Sequence, residues 1–214
     1  DIVLIDRNQP MTFTSAQSGE NYRNWWPHPT MVAFTNRSID LLEVIATESN
    51  NLINMNRRGY SLVTRNTDID EIVTQLHAGL EDTADDLIRY HTSGASPQYQ
   101  PPVDPDWESA PSGVDILQNQ DLIRRIFPSY AQDIQTVIHI RRGGDISGQQ
   151  LGMHMLETLK GTELTRITGS VEGVDQLNGF LIEINGKDGV QHIQAAKIVN
   201  AAGPFADNIA KMLD

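Results

Sequence analysis

Cysteine is absent from the sequence. That excludes disulfides, thiolate metal sites and a catalytic thiol, and it fits a reducing compartment such as the cytoplasm. Runs of positive charge are absent too. The basic pairs Arg57-Arg58, Arg124-Arg125 and Arg141-Arg142 never extend further, and the net charge is −12. Nucleic acid and anionic membranes both need basic patches to meet their phosphates, so neither is an expected partner. No stretch approaches the roughly 20 apolar residues that span a bilayer as a helix. His28, His77, His91, His139, His154 and His192 follow neither H-x-x-H nor H-x-x-x-H spacing, so no metal site is expected. A G-x-S-x-G elbow is missing as well, which leaves no sign of a serine hydrolase.

What remains is an ordinary globular composition, 39% hydrophobic and 21% charged over 214 residues, enough for one large domain or two small ones. The run Asp1-Ile2-Val3-Leu4-Ile5-Asp6 predicts a strand buried on both faces, of the kind found inside parallel sheets. Lys197-Ile198-Val199-Asn200-Ala201-Ala202-Gly203 predicts another, followed by Pro204 and a helix over 205–213. Strands of that kind normally have neighbours on both sides, so the sequence reads as beginning and ending within a fold. Between them, a helix is predicted over 36–49 with Ile39, Leu42, Ile45 and Ala46 inward, then a strand over 56–64. Ile69, Ile72, Val73, Leu76 and Leu80 form one helical stripe, opened by a capping-box-like Asp68 and Glu71. Residues 93–113 hold five of the ten prolines and read as a long loop. A short helix over 120–127 and a strand over 134–140 follow, then a helix capped by Ser147 and Gln150 with Leu151, Met155, Leu156 and Leu159 on its apolar face. From Glu163 onward, glycine-punctuated strands and the turn Asn185-Gly186-Lys187-Asp188-Gly189 predict an antiparallel meander feeding back into a parallel sheet.

Several residues could carry chemistry. An acid at the carboxyl end of a dinucleotide-fold strand accepts hydrogen bonds from ribose hydroxyls; Asp6 stands in such a place, or it merely ends a strand at the surface. Thr12 to Gly19 is small and hydroxyl-rich, suited to a pyrophosphate or to a plain turn. Gly203-Pro204 lets backbone approach a ligand, or lets a helix pack closely on a sheet. Asn21-Tyr22-Arg23-Asn24-Trp25-Trp26 sets two tryptophans beside an arginine. The block could wall a flavin or a carboxylate-bearing substrate with Arg23 as anion partner, or serve as a core anchor.

In order and spacing, these segments resemble the D-amino-acid oxidase, sarcosine oxidase and dimethylglycine dehydrogenase superfamily of FAD enzymes over nearly the whole chain. Asp1 to Arg7 looks like that family's second Rossmann strand, with its ribose-binding acid at Asp6 followed by Arg7. Thr14 to Gly19 and then Glu20 to Arg23 resemble the Ser-rich loop beside the pyrophosphate and isoalloxazine, which implicates Ser15, Gln17, Ser18, Asn21 and Arg23. Arg141-Arg142-Gly143-Gly144-Asp145 to Leu151 resembles the family's lead-in to its next helix. Thr168 to Val174 resembles the strand whose backbone touches adenine, at Val171 here. Lys197 to Pro204 resembles the closing Val-x-Ala-Ala-Gly signature, with Ala201, Ala202 and Gly203 near the cofactor.

The resemblance implies an α/β fold with α+β elements: an FAD-binding Rossmann-like parallel sheet with an antiparallel meander and part of a substrate domain, truncated at both ends. Residues 1–50 and 146–214 would belong to the FAD-binding domain and 51–145 to the substrate domain. The family's G-x-G-x-x-G loop is not in the sequence and would precede Asp1, so this segment alone is expected to hold FAD weakly. The Ser-rich loop has neither the His nor the Cys that carries covalent flavin, so the FAD is expected to be noncovalent. The implied activity is oxidation of a C–N bond in an amino acid or a secondary or tertiary amine, with oxygen or a carrier as electron acceptor. Two alternatives stay open: a non-catalytic FAD-binding or interaction subunit of a multi-subunit dehydrogenase, and a flavin dehydrogenase of a hydroxy substrate. No side chain in the sequence is assigned as catalytic base.

Overall fold

In the computed structural model, residues 1–92, 98–103 and 107–213 are described. The strands in chain order are β1 (Ile2–Asp6), β2 (Asn21–Arg23), β3 (Tyr60–Thr64), β4 (Ile88–His91), β5 (Val114–Leu117), β6 (Thr136–Ile140), β7 (Gly143–Asp145), β8 (Leu164–Leu177), β9 (Gly179–Gly186) and β10 (Gly189–Ala195). The helices are α1 (Thr14–Gln17), α2 (Pro29–Glu48), α3 (Asp70–Leu80), α4 (Ala84–Leu87), α5 (Gln120–Ile126), α6 (Gly148–Thr158) and α7 (Ala206–Ala210). They divide into two units, Asp1–Ser18 with Leu151–Asp214, and Gly19–Gln150.

The first unit is built on a sheet of order β1-β8-β9-β10. The opening of β8 runs parallel to β1, from Ile2↔Leu164 to Asp6↔Thr168. From Gly169 the same strand turns antiparallel to β9, with a register shift between Val171 and Gly173. One long strand thus joins a parallel pair to the expected meander, and the junction with the parallel pair lies at the start of β8 instead of after β10. Lys187 and Asp188 form the two-residue β9–β10 turn, and Gly189, the first residue after it, takes φ +105°, a backbone conformation that side chains resist. Val174, Ile182 and Ile184 are buried at the centre, with Ile5, Ile167 and Phe180 against them.

Two expectations fail here. The strand at residues 2–6 forms, but it is not buried on both faces. Among the described residues it lies at a sheet edge with a ladder partner on one side, and Ile2 is 63% exposed. The expected strand over 197–203 is absent. Asn200 competes for that backbone: its Nδ2 donates to the Ala206 carbonyl at 2.7 Å and its Oδ1 accepts from the Ala202 N–H at 3.3 Å. Side-chain bonds of this kind turn the chain instead of extending it, and a 3₁₀ turn over Gly203–Phe205 follows.

In the second unit the sheet order is β3-β6-β5-β4, with β4 and β5 parallel and the other pairs antiparallel. All five residues of β6 are buried, so the strand reads as a continuous run because both faces are covered. One face meets α3: Leu76 and Leu80 lie against Ile116, Ile138, Ile140 and Trp25. The other holds Leu117 and Val137 against Ile123, Ile134 and Tyr99. Tyr99 belongs to the proline-rich stretch, whose residues 98–103 and 107–113 contain no helix or strand; 93–97 and 104–106 lie outside the described residues.

The α2 helix begins seven residues before its predicted start. Pro29 occupies its first turn, where a missing N–H costs nothing, and His28 Nδ1 accepts from the Thr30 N–H at 3.2 Å. The capping box expected for α3 is replaced by a single bond, Asp70 N–H to Asp68 Oδ1 at 3.2 Å. Strand β3 begins at Tyr60, not at residue 56. The α6 helix starts as expected, with Ser147 Oγ accepting from the Gln150 N–H, though Met155 and Leu159 on its expected apolar face are exposed.

Candidate functional site

Most of the expected cofactor residues fall in the first unit. Asp6 ends β1 beside Thr168 of β8, and its exposed carboxylate accepts the Asn8 N–H at 2.9 Å. Leu4, Asp6, Asn8, Pro10, Arg166 and Thr168 line a shallow depression there. Arg7 stacks over the Phe205 ring at 4.2 Å, and Phe13 approaches the same ring at 5.6 Å between centroids. The residues just after β1 and those just after Gly203 are therefore brought together. Ser15 and Gln17 lie on α1, and Ser18 is its C-cap. Val171 sits at the register shift of β8, partly buried against the apolar cluster. Ala201 and Ala202 lead into Gly203, which takes φ +55° and has open space where a side chain would stand. An exposed carboxylate ending a parallel strand fits a ribose diol, and the open backbone at Gly203 fits close approach by a ligand.

Asn21 and Arg23 lie on β2 of the second unit, paired with Asp145 and Gly143. The two tryptophans of that block take different roles. Trp25 is core, 6% exposed, whereas Trp26 stays partly exposed and stacks on Arg23. The Arg23 guanidinium lies 4.7 Å from the Trp26 ring and 4.4 Å from the Tyr60 ring. Its Nε is buried without a hydrogen-bond partner. No carboxylate pairs with Arg23 among the described residues. A cation held between two rings and lacking an acid can receive an anion.

Sequence reasoning missed a buried polar assembly in this unit. Asp115, 1% exposed, sits in the apolar strand β5. Its Oδ1 accepts from Arg89 Nε at 2.7 Å and from His91 Nε2 at 2.9 Å, and its Oδ2 accepts from Arg141 NH1 at 2.5 Å. Burial would raise its pKa, but the hydrogen bonds from Arg89, His91 and Arg141 outweigh that and hold it at about 2. Arg141 also donates to the Gln100 carbonyl at 2.8 Å and lies over the Tyr99 ring, which ties residues 98–103 onto the sheet. His139 has both ring nitrogens engaged. Its Nε2–H donates to the Arg58 carbonyl at 2.8 Å, so its Nδ1 must accept from the Tyr99 hydroxyl, also at 2.8 Å. Gly59 makes that geometry possible: with φ +85°, a Cβ there would lie 1.8 Å from His139 Nε2.

The Arg141-Arg142-Gly143-Gly144-Asp145 stretch is likewise more than a lead-in to a helix. Arg142 fastens α2 through Asp40 and Glu43, both at 2.7 Å, and Asn36 at 2.9 Å, while Gly143–Asp145 forms the ribbon strand opposite β2. A charged residue inside an otherwise apolar strand, as at Asp115, was the one available signal, since such groups are buried only when paired.

The whole chain, residues 1–214, matches the family described as "DAO: FAD dependent oxidoreductase". No curated protein matches it in sequence. Among solved structures it resembles glycine oxidase from Bacillus cereus, at TM-score 0.66 and 12% identity, covering 98% of this chain and 52% of that one. L-proline dehydrogenase from P. horikoshii gives TM-score 0.69 and 14% identity, over 98% and 48%. Iminodiacetate oxidase from Chelativorans sp. gives 0.65 and 20%, over 98% and 51%. At these identities the likeness establishes the fold, and the chain spans about half the length of each. Among the described residues no helix is long and apolar enough to cross a membrane.

Proposed function

Because the chain belongs to the family of FAD-dependent oxidoreductases, we propose that it is part of a flavoprotein that oxidises the C–N bond of an amino acid or a secondary or tertiary amine. Bound FAD would supply the two-electron acceptor for that oxidation, and the protein's share is binding, orientation and charge. The observation that carries the reading is Asp6, an exposed carboxylate closing the strand that pairs in parallel with β8. In this reading it accepts hydrogen bonds from the adenosine ribose hydroxyls, beside Arg7 stacked on Phe205. The backbone of Ala201, Ala202 and Gly203 and the hydroxyl-rich stretch through Ser15, Gln17 and Ser18 add small groups that allow close approach. Neither His nor Cys lies in that stretch, so the cofactor is held without a covalent bond.

Arg23 is the anion-receiving side chain of the second unit. Its stacking partners Trp26 and Tyr60 lie against the guanidinium, and among the described residues no carboxylate pairs with it. Such a group suits either the carboxylate of an amino-acid substrate or the negative charge that builds on a reduced flavin. The acceptor of the second half-reaction is oxygen or an electron carrier. Three structural relatives are named for oxidation or dehydrogenation of amino or imino acids, which supports the amine class of substrate.

Titrating the apo form of the complete protein with FAD tests the assignment of Asp6. A charge-assisted hydrogen bond is worth about 1.5–3 kcal/mol, so Asp6→Ala should weaken binding about tenfold to a hundredfold. Unchanged affinity would reduce Asp6 to a strand terminus.

A further inference from the structure

The outer face of α2 carries Met31, Phe34, Leu41 and Val44, between 38% and 65% exposed. Single exposed apolar side chains are commonplace, but a stripe of them along one helix marks a contact surface. The positions 34, 37, 41, 44 and 48 recur at alternating spacings of three and four, the seam that lets one helix lie along another. Two of these positions are charged, Arg37 and Glu48, and both are exposed. Neither makes an ion pair among the described residues. They stand about three turns apart on the same side of the helix, one on each side of Leu41 and Val44.

We propose that this face is the contact surface of an antiparallel homodimer, in which Leu41 and Val44 of each copy meet Val44 and Leu41 of the other and Arg37 pairs with Glu48 across both ends of the seam. The charge pattern selects this arrangement. Antiparallel pairing about the midpoint between Leu41 and Val44 sets each Arg37 opposite a Glu48, twice by symmetry, as an isologous contact requires. Parallel pairing would set like charges together, arginine on arginine and glutamate on glutamate, and would be disfavoured. A chain of net charge −12 repels its own copies in most orientations. Two opposite-sign contacts across this surface offset part of that repulsion. The helix has 20 residues, a length of about 30 Å, which accommodates the seam with Phe34 flanking it. Exposed Leu52 in the turn after the helix falls near the register position opposite Phe34.

Sedimentation equilibrium of the 214-residue chain at low and high salt tests this. A concentration-dependent dimer is expected, abolished by Leu41→Glu. Arg37→Glu alone and Glu48→Arg alone should each weaken it by about tenfold at low salt, and the double variant should restore it. Arg124→Glu, the same charge change at an exposed position of α5, should leave it intact and controls for net repulsion. Circular dichroism confirms that each variant is folded, which these exposed positions permit. A wild-type chain that stays monomeric at its highest soluble concentration, or a dimer indifferent to Leu41→Glu and to the charge swap, overturns the proposal.

Discussion

Replacing Asp115 by asparagine would remove the charge at the centre of the buried cluster while keeping the side chain's volume. The carboxylate is 2% exposed and bonded to Arg89, His91 and Arg141 at once. Asparagine retains one oxygen, and its amide group would face donors that need an acceptor. Arg141, equally buried, would lose a charged partner and keep the Gln100 carbonyl as an acceptor. Removing one member of a buried ion pair costs about 3–5 kcal/mol, most of it from the stranded partner. Arg89 is 28% exposed and can turn toward water, which favours the lower part of that range. At about 2–4 °C per kcal/mol for a protein of this size, the melting temperature should fall by roughly 6–20 °C. Differential scanning calorimetry measures it directly. The double variant Asp115→Asn with Arg141→Met should recover part of the loss, because it removes the uncompensated cation. A single variant melting within about 2 °C of wild type, or a double variant whose loss equals the sum of the singles, would refute the claim that this cluster binds residues 98–103 to the sheet.

Two further outcomes follow from the same structure. Burial, and then the neighbouring Arg141 charge, lower the pKa of His139 to about 4. Its folded value lies below its unfolded one, so its stabilisation is complete above about pH 6.5 and is lost as the pH falls toward 4; urea melts across that window should show the slope, and His139→Gln should flatten it. Arg23→Met in the complete protein keeps the stem between Trp26 and Tyr60 but removes the charge, so the flavin midpoint potential should fall with little change in melting temperature. An unaltered potential with lost stability would make Arg23 an anchor only.

The sequence announces some of this architecture and hides the rest. The Ile69–Leu80 stripe and the meander after Glu163 were legible because each repeats one spacing over many residues. The start of α2 was hidden because Pro27, Pro29 and two tryptophans read as an irregular aromatic block, although proline in a helix's first turn is itself a start signal. The run at 197–203 had strand composition, yet a single asparagine redirected its backbone. The pieces of the Asp115 cluster come from β4, β5, the residue after β6 and the proline-rich stretch, and long-range pairing of that kind leaves no periodic trace. What could be read locally was that Asp115 and His139 interrupt apolar runs and so need partners. Of the site, the type and place of Asp6 were readable, while the stacking of Arg7 on Phe205 and of Arg23 on Trp26 and Tyr60 required the fold.

Anaerobic titration of the FAD-loaded complete protein with amino acids, N-methylated amines and 2-hydroxy acids tests the central claim most directly, by following loss of the oxidised flavin's visible absorbance. Oxidation of a C–N bond predicts that an amine or amino acid bleaches the flavin and leaves an imine or its carbonyl hydrolysis product, while hydroxy acids leave the spectrum unchanged. Bleaching by a hydroxy acid alone, or by no compound of either class, would contradict it.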